Sequence, residues 1–138
     1  MNKLVIGICM VFLLAGSTWA KDTNTTRTEV LIKTGTSWDG DALPAYPEGN
    51  PEITLLRITI PPHTQLPMHK HPVINAGILL KGELTVMTQS NKTFHLKEGE
   101  TISELVEKWH YGKNEGDNPA VIMVFYVGIQ GEPITIKK

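Results

Sequence analysis

Two histidines one residue apart are the first feature of this sequence that could do chemistry. His69 and His71 lie in MHKHPVIN, residues 68–75. Alternate side chains of a strand point to one side, so both imidazoles would face the same way with Cβ atoms roughly 6–7 Å apart. Two such rings can bind one metal ion, each through a nitrogen about 2.0–2.1 Å from it. A polar strand end has the same pattern, so a metal site requires a third ligand from elsewhere.

The segments that must position these histidines have the pattern of short β-strands separated by turns. Stretches rich in β-branched and aromatic residues recur between turn residues, which predicts an all-β sandwich or barrel. Residues 34–51, rich in glycine and proline, indicate a long loop. The predicted strands cover residues 29–33, 52–60, 64–71, 76–81, 83–89, 93–98, 101–106, 109–114 and 120–129, with a hairpin turn at 90–92.

Two stretches of the chain resemble the two motifs of the cupin family. The stretch 69–82, HKHPVINAGILLKG, is similar to the first motif, which carries His-x-His, a glutamate and a glycine. The stretch 99–114, GETISELVEKWHYGKN, is similar to the second motif, which carries a glycine, a Pro-x-Gly turn, a histidine and an asparagine. The motif positions fall on His69, His71, Asn75 and Gly82, and on Gly99, His110 and Asn114.

The resemblance implies a fold and a division of the chain. It covers residues 52–130 and implies the all-β cupin fold, a double-stranded β-helix or jelly-roll barrel. We therefore divide the chain into a signal peptide, an N-terminal strand and loop, the cupin domain and a C-terminal tail. These four parts cover residues 1–20, 21–51, 52–130 and 131–138.

The sequence departs from the cupin motifs at four positions. His63 stands where the first motif has a glycine, and Leu105 and Glu107 replace the proline and glycine of the second motif. Asn75 stands at the position of the usual glutamate ligand, and a neutral amide is a poor metal ligand. The resemblance therefore implies a metal site made of three neutral histidines, His69, His71 and His110.

Three imidazoles could bind Zn, Fe, Cu, Ni or Mn as a divalent ion, and the sequence does not distinguish these metals. Without a carboxylate ligand the ion would keep its full 2+ charge, which favours an anionic substrate or a bound water that loses its proton easily. We expect the second ring nitrogens to bond carbonyls or carboxylates. Asn75 could then hydrogen-bond a bound ligand, and Gln65 and Tyr111 are further candidates for the pocket. His63 and His95 are expected at the surface.

Three functions are compatible with this site. The first is a metal-dependent enzyme, of the oxygenase or isomerase type or a hydrolase, acting on a small organic acid or sugar. The second is a non-enzymatic exported module that binds a metal or a small ligand. The third is a metal-free, carbohydrate-binding jelly roll. Glu104 and Glu107 flank the second motif, but charged residues near strand ends are usually solvated, so we expect neither to take part.

The first twenty residues have the pattern of a secretory signal peptide. A basic start, MNK, precedes the apolar run 4–15, and small residues lead to a predicted cut near Ala20. The run is too short to span a membrane as a mature helix, although an uncleaved anchor is the alternative. We therefore expect a periplasmic or secreted protein with no membrane contact after cleavage, which also removes the single cysteine, Cys9.

The charge of the chain argues against a nucleic-acid partner. The chain has 13 Lys and Arg against 14 Asp and Glu, and loss of Lys3 with the signal would leave 12 against 14, a formal charge of −2. Such a chain lacks the basic surface that nucleic acid requires. We expect a small-molecule ligand as the main partner. A homodimer through strands 120–129 and 29–33 is a further expectation, because cupins commonly pair through sheet edges.

Overall fold

The computed structural model describes residues 25–138, so the predicted signal peptide, residues 1–20, lies outside the described residues. In this part of the chain no helix is long and apolar enough to cross a membrane. Residues 25–138 form the strands β1 (Pro51–Ile60), β2 (Thr64–Gln65), β3 (His69–Lys70), β4 (Ile74–Lys81), β5 (Glu83–Thr88), β6 (Thr93–Lys97), β7 (Thr101–Ser103), β8 (His110–Asn114), β9 (Ala120–Ile129) and β10 (Ile136–Lys137).

The strands form two antiparallel sheets with the core between them. The first sheet has the order β1-β9-β4-β7, and the second has the order β10-β3-β8-β5-β6, with β2 also paired to β8. Leu79 and Ile122 from the first sheet pack in one buried cluster with Val86 and Leu96 from the second. The prediction of an all-β jelly roll is therefore confirmed.

Alternation of side chains along the strands determines which motif residues reach the interior. In β4, Asn75, Gly77 and Leu79 are buried, and the residues between them are more exposed. In β8, His110 and Asn114 are buried in the same alternating manner. One motif residue from each sheet, Asn75 and His110, is thus buried inside the barrel.

Four segments differ from the sequence-based expectation. Of the predicted strand 101–106, only Thr101–Ser103 forms a strand, β7. Residues 29–33 form no strand. Their bond to β7 comes from a side chain, since the Thr101 hydroxyl donates to the carbonyl of Leu31 at 3.0 Å. The predicted strand 64–71 is divided into β2 and β3, because Pro67 has no N–H to donate. The predicted tail, residues 131–138, contains β10, which pairs with β3.

The position of β9 also changes the expected dimer contact. This strand lies inside the first sheet between β1 and β4, so it has no free edge on which a second chain could pair. A second chain could contact the exposed face of β9 instead. Leu55 of β1 lies opposite Phe125 of β9, and these two side chains are 58% and 43% exposed.

Candidate metal centre

Three histidines from two neighbouring strands meet inside the barrel. His69 of β3 and His110 of β8 are direct cross-strand partners, and His71 follows β3. The ring centroids are 5.0 Å apart for His69 and His71, 4.6 Å for His69 and His110, and 5.1 Å for His71 and His110. One ring nitrogen of each lies within 4.8 Å of the others, which is close enough for the three to hold a metal ion. The predicted trio is therefore brought together.

Each of these rings has one nitrogen bonded to a backbone carbonyl. Nδ1 of His69 lies 2.7 Å from the oxygen of Pro67, Nδ1 of His71 lies 2.9 Å from that of Ile134, and Nδ1 of His110 lies 2.8 Å from that of Lys108. A carbonyl can only accept, so Nδ1 carries the proton in all three rings. Nε2 of each neutral ring therefore keeps its lone pair, which is the form that binds a metal.

The electrostatics of the cluster favour the same neutral form. Burial lowers the pKa of His69, His71 and His110 from the ordinary value of 6.5, and that of His71 falls to about 4. Desolvation is the largest cause in each case, because a charged ring would lose its hydration inside the barrel. At neutral pH a metal therefore meets little competition from protons at this site.

A fourth ionisable group lies in the same place, and the sequence analysis missed it. Glu104 is buried, lines the cavity with the three histidines and has Oε2 3.7 Å from Nε2 of His110. Burial raises the pKa of this carboxyl to about 7. Its backbone N–H donates to the carbonyl of Asn75 at 3.1 Å, which holds the segment after β7 beside β4. The expectation that Glu104 is solvated was wrong.

The three predicted pocket residues have different positions. Asn75 is buried; its Nδ2 donates to the carbonyl of Val73 at 3.1 Å, while its Oδ1 has no partner among the described residues. Tyr111 follows His110 in β8, so its side chain takes the opposite face, where its hydroxyl donates to Sδ of Met87 at 3.2 Å. Gln65 is exposed. None of the three predicted pocket residues is therefore part of the cavity lining, although Asn75 is buried.

The cavity at the histidines is small and mostly apolar. Its volume is about 50 Å³, enough for a few water molecules. Tyr126 is one of the lining residues, and burial raises the pKa of its phenol to about 12. The other lining residues are His69, His71, Glu104, His110, Ile58, Ile60, Leu66, Leu84, Val86, Gly112, Ile122 and Val124.

The remaining two histidines lie outside the cluster, as predicted. His63 is exposed and its Nε2 lies 3.1 Å from Oδ1 of Asp117, while His95 is exposed and its Nδ1 lies 3.0 Å from the hydroxyl of Thr85. His63 and Glu107, which replace motif glycines, have φ values of 52° and 57°. Both positions therefore keep the left-handed backbone that glycine adopts most easily.

Comparisons with known proteins agree with this architecture. Residues 56–126 match the family described as "Cupin domain". A comparison with curated proteins gives no match.

Several solved structures have a similar fold. DMSP lyase from Ruegeria pomeroyi has a TM-score of 0.54 and 19% identity, over 62% of this chain and 43% of that chain. An oxalate oxidase in complex with the substrate analogue glycolate has a TM-score of 0.52 and 25% identity, over 62% and 45%. Oxalate decarboxylase from Bacillus subtilis, with Mn(II) centres, has a TM-score of 0.53 and 21% identity, over 62% and 23%. This chain thus spans less than half the length of each.

Proposed function

The chain belongs to the cupin family, and on that premise we propose that it binds one divalent transition-metal ion through His69, His71 and His110 and acts on a small organic molecule. The observation that carries this proposal is the common orientation of the three rings. Each Nδ1 is bonded to a carbonyl, so the Nε2 lone pairs are left free inside one cavity. Such bonds orient imidazole ligands and raise their basicity.

The bound ion and the protein residues would have different roles in the reaction. A bound divalent ion supplies Lewis-acid or redox chemistry to a small molecule. The three imidazoles hold and orient it, and mostly apolar walls from both sheets surround it. An apolar surrounding strengthens the electrostatic interactions within the cavity. The barrel thus provides a small, mostly apolar site in which an anion would be attracted to the metal.

The size of the cavity restricts the substrate class. At about 50 Å³ it admits a molecule of a few heavy atoms, such as a small carboxylic acid, and a sugar ring would exceed it. A similar structure, the oxalate oxidase with glycolate bound, supports a small acid as the candidate substrate. We therefore favour an oxidase- or oxygenase-type enzyme over a sugar isomerase or a metal-free carbohydrate-binding jelly roll.

The same small cavity favours one alternative function. A site with so little room beside the ligands would suit a module that binds a metal without transforming an organic substrate. In that case metal would bind tightly and no small acid would turn over. We propose export for either function, based on the pattern of residues 1–20. A homodimer through the exposed face of β1 and β9 is a further proposal, and sedimentation would measure it.

Metal analysis tests the central proposal. The chain without residues 1–20 would be purified without chelator or histidine tag, beside the variant His69→Ala/His71→Ala and the single variant His110→Ala. We expect near-stoichiometric metal in the parent and its loss in both variants. His95→Ala is the matched control, because His95 is an exposed histidine outside the cluster, and it should keep the metal. Retention of metal by His110→Ala would refute the assignment.

A second measurement separates the two functions. The metal-loaded protein would be incubated with oxalate and glycolate, and oxygen uptake and product formation would be recorded. Turnover that disappears in His110→Ala supports the enzyme. A metal-loaded protein that transforms neither oxalate, glycolate nor any other small carboxylic acid tested supports a module that binds metal without catalysis.

A further inference from the structure

Two hydrogen-bond acceptor atoms face each other in the wall of the cavity. The Nδ1–H of His110 is used by the carbonyl of Lys108, so Nε2 presents a lone pair. Oε2 of Glu104 lies 3.7 Å from that nitrogen. Both atoms are buried and neither has a hydrogen-bond partner among residues 25–138. A buried arrangement of this kind is costly unless a positive species lies between the two atoms.

A metal ion would satisfy both atoms at once. Nitrogen and carboxylate ligands lie about 2.0–2.2 Å from an ion such as zinc, so two ligands of one ion are at most roughly 4.3 Å apart. The observed separation of 3.7 Å lies within this limit. The carboxylate also lines the same cavity as the three rings, although it lies more than 4.8 Å from the ligand nitrogen of His69 or of His71, so its side chain would move closer when an ion binds. The bond from its backbone N–H to the carbonyl of Asn75 holds Glu104 in this place.

We propose that Glu104 supplies a fourth protein ligand to the ion held by the three histidines. This inference rests on the proposed function, because it requires a metal at His69, His71 and His110. The acidic ligand then comes from the segment after β7, beside Asn75, which offers only an amide. The carboxylate reduces the net charge of the loaded centre from 2+ to 1+ and replaces the expectation of three neutral ligands.

The additional oxygen ligand has a consequence for the choice of metal. Carboxylates suit Mn(II), whereas imidazoles suit Zn(II) and Cu(II). Binding of Mn(II) therefore depends on Glu104 more strongly than binding of Zn(II) does.

Titration with Mn(II), followed by the electron paramagnetic resonance signal of the free ion, tests the role of Glu104. Glu104→Gln should weaken Mn(II) binding about tenfold or more, given that loss of even an outer partner of a ligand costs about 10–100-fold. The same substitution should reduce the affinity for Zn(II), measured by competition, by a smaller factor. Glu98→Gln is the matched control, because Glu98 is an exposed glutamate shortly before β7. This variant should bind Mn(II) with the affinity of the wild type.

The variant also distinguishes a ligand from a proton donor. If Glu104 only shares a proton with His110, the amide of Gln can donate in its place, and Glu104→Gln keeps wild-type affinity for Mn(II). That result would overturn the inference. It would leave the three-histidine site intact, whereas a wild type that binds neither Mn(II) nor Zn(II) would remove the proposed function itself.

An infrared measurement on the unchanged protein decides the question even if Glu104→Gln fails to fold. The difference spectrum between Zn(II)-loaded and metal-free protein, both in alkaline buffer so that the Glu104 carboxyl is ionised in each, should contain a shifted carboxylate band. The other groups of the centre are imidazoles and an amide, so such a band reports on Glu104. A difference spectrum with imidazole bands and no carboxylate band overturns the inference.

Discussion

Nδ1 of His71 lies 2.9 Å from the carbonyl oxygen of Ile134, and the two residues are 63 positions apart in the sequence. The hydroxyl of Thr135 lies 3.2 Å from the same nitrogen. The segment that contains these residues also forms β10, which pairs with β3 beside His69. The orientation of one proposed ligand therefore depends on a distant segment that the sequence analysis treated as a tail.

Deletion of residues 134–138 should weaken metal binding about 10–100-fold, because His71 would lose the acceptor that orients it. Isothermal titration with Zn(II) would measure the change. Thr135→Val is the control, since it removes the hydroxyl and keeps the carbonyl of Ile134, and its affinity should stay close to that of the wild type. Wild-type affinity in the deletion would show that the backbone bond has no part in positioning the ring.

The stability of the metal-free protein should fall on acidification because of His71. Its pKa is lowered from 6.5 to about 4 in the folded state, so between these values the unfolded chain binds a proton that the folded protein does not. The contribution of the neutral ring is complete above pH 6.5 and is lost as the pH falls towards 4. Between these pH values, His71 alone should change the free energy of unfolding by up to about 1.4 kcal/mol per pH unit.

Urea unfolding of wild type and His71→Gln at several pH values between 4 and 7 would measure this slope. The variant should show the shallower dependence. His95→Gln, which changes an exposed histidine, should follow the wild type. Equal slopes for wild type and His71→Gln would contradict the prediction.

Asn114 should be a structural residue of the second motif. It is fully buried, its Nδ2 lies within 3.1 Å of the carbonyls of Ile60, Pro61 and Asn118, and its Oδ1 accepts from the N–H of Gly116. Asn114→Ala leaves these groups unpaired, so it should lower the free energy of unfolding by at least about 2 kcal/mol. Chemical denaturation would measure this.

The matched control for Asn114 is Asn118→Ala. The side chain of Asn118 is exposed, and its carbonyl is retained in the variant. We expect a change within about 0.5 kcal/mol. A small effect for Asn114→Ala in the same assay would show that water replaces its bonds.

His63→Gly should stabilise the protein. A side chain at φ 52° costs roughly 1–2 kcal/mol, and the contact with Asp117 is exposed and contributes little. We expect the free energy of unfolding to rise by about 0.5–1 kcal/mol after the entropic disadvantage of glycine. Glu98→Gly, at an exposed position without positive φ, should lower stability in the same assay. A loss of stability in His63→Gly would mean that its bond to Asp117 outweighs the backbone strain.

The sequence was sufficient for the parts of this protein that follow a regular pattern. The bounds predicted for β9 coincide with the observed strand, since apolar residues run through both of its faces. The resemblance that led to His110 is confirmed by the family match and by the meeting of its ring with those of His69 and His71. The ligand role of these residues remains a proposal.

The errors have separate physical causes. Tyr111 directly follows His110 in a strand, so alternation alone requires it to face away from the cavity, and the prediction could have been corrected from sequence. Glu104 lies beyond the end of β7 at Ser103, where no period applies. Its backbone N–H donates to the carbonyl of Asn75 on another strand, and no local pattern in the sequence reveals such a contact.

The pairing of β3 with β8 consists of a single residue pair, His69 opposite His110. Because four pairs with β5 hold β8, a slip of β3 by one residue would place Trp109 or Tyr111 opposite His69 and turn the His69 ring away from that of His110. An ion that requires both rings would bind only the correct register, and it would stabilise that register according to its concentration relative to its dissociation constant. Metal binding would therefore favour the correct alignment of β3 and β8 over the slipped one.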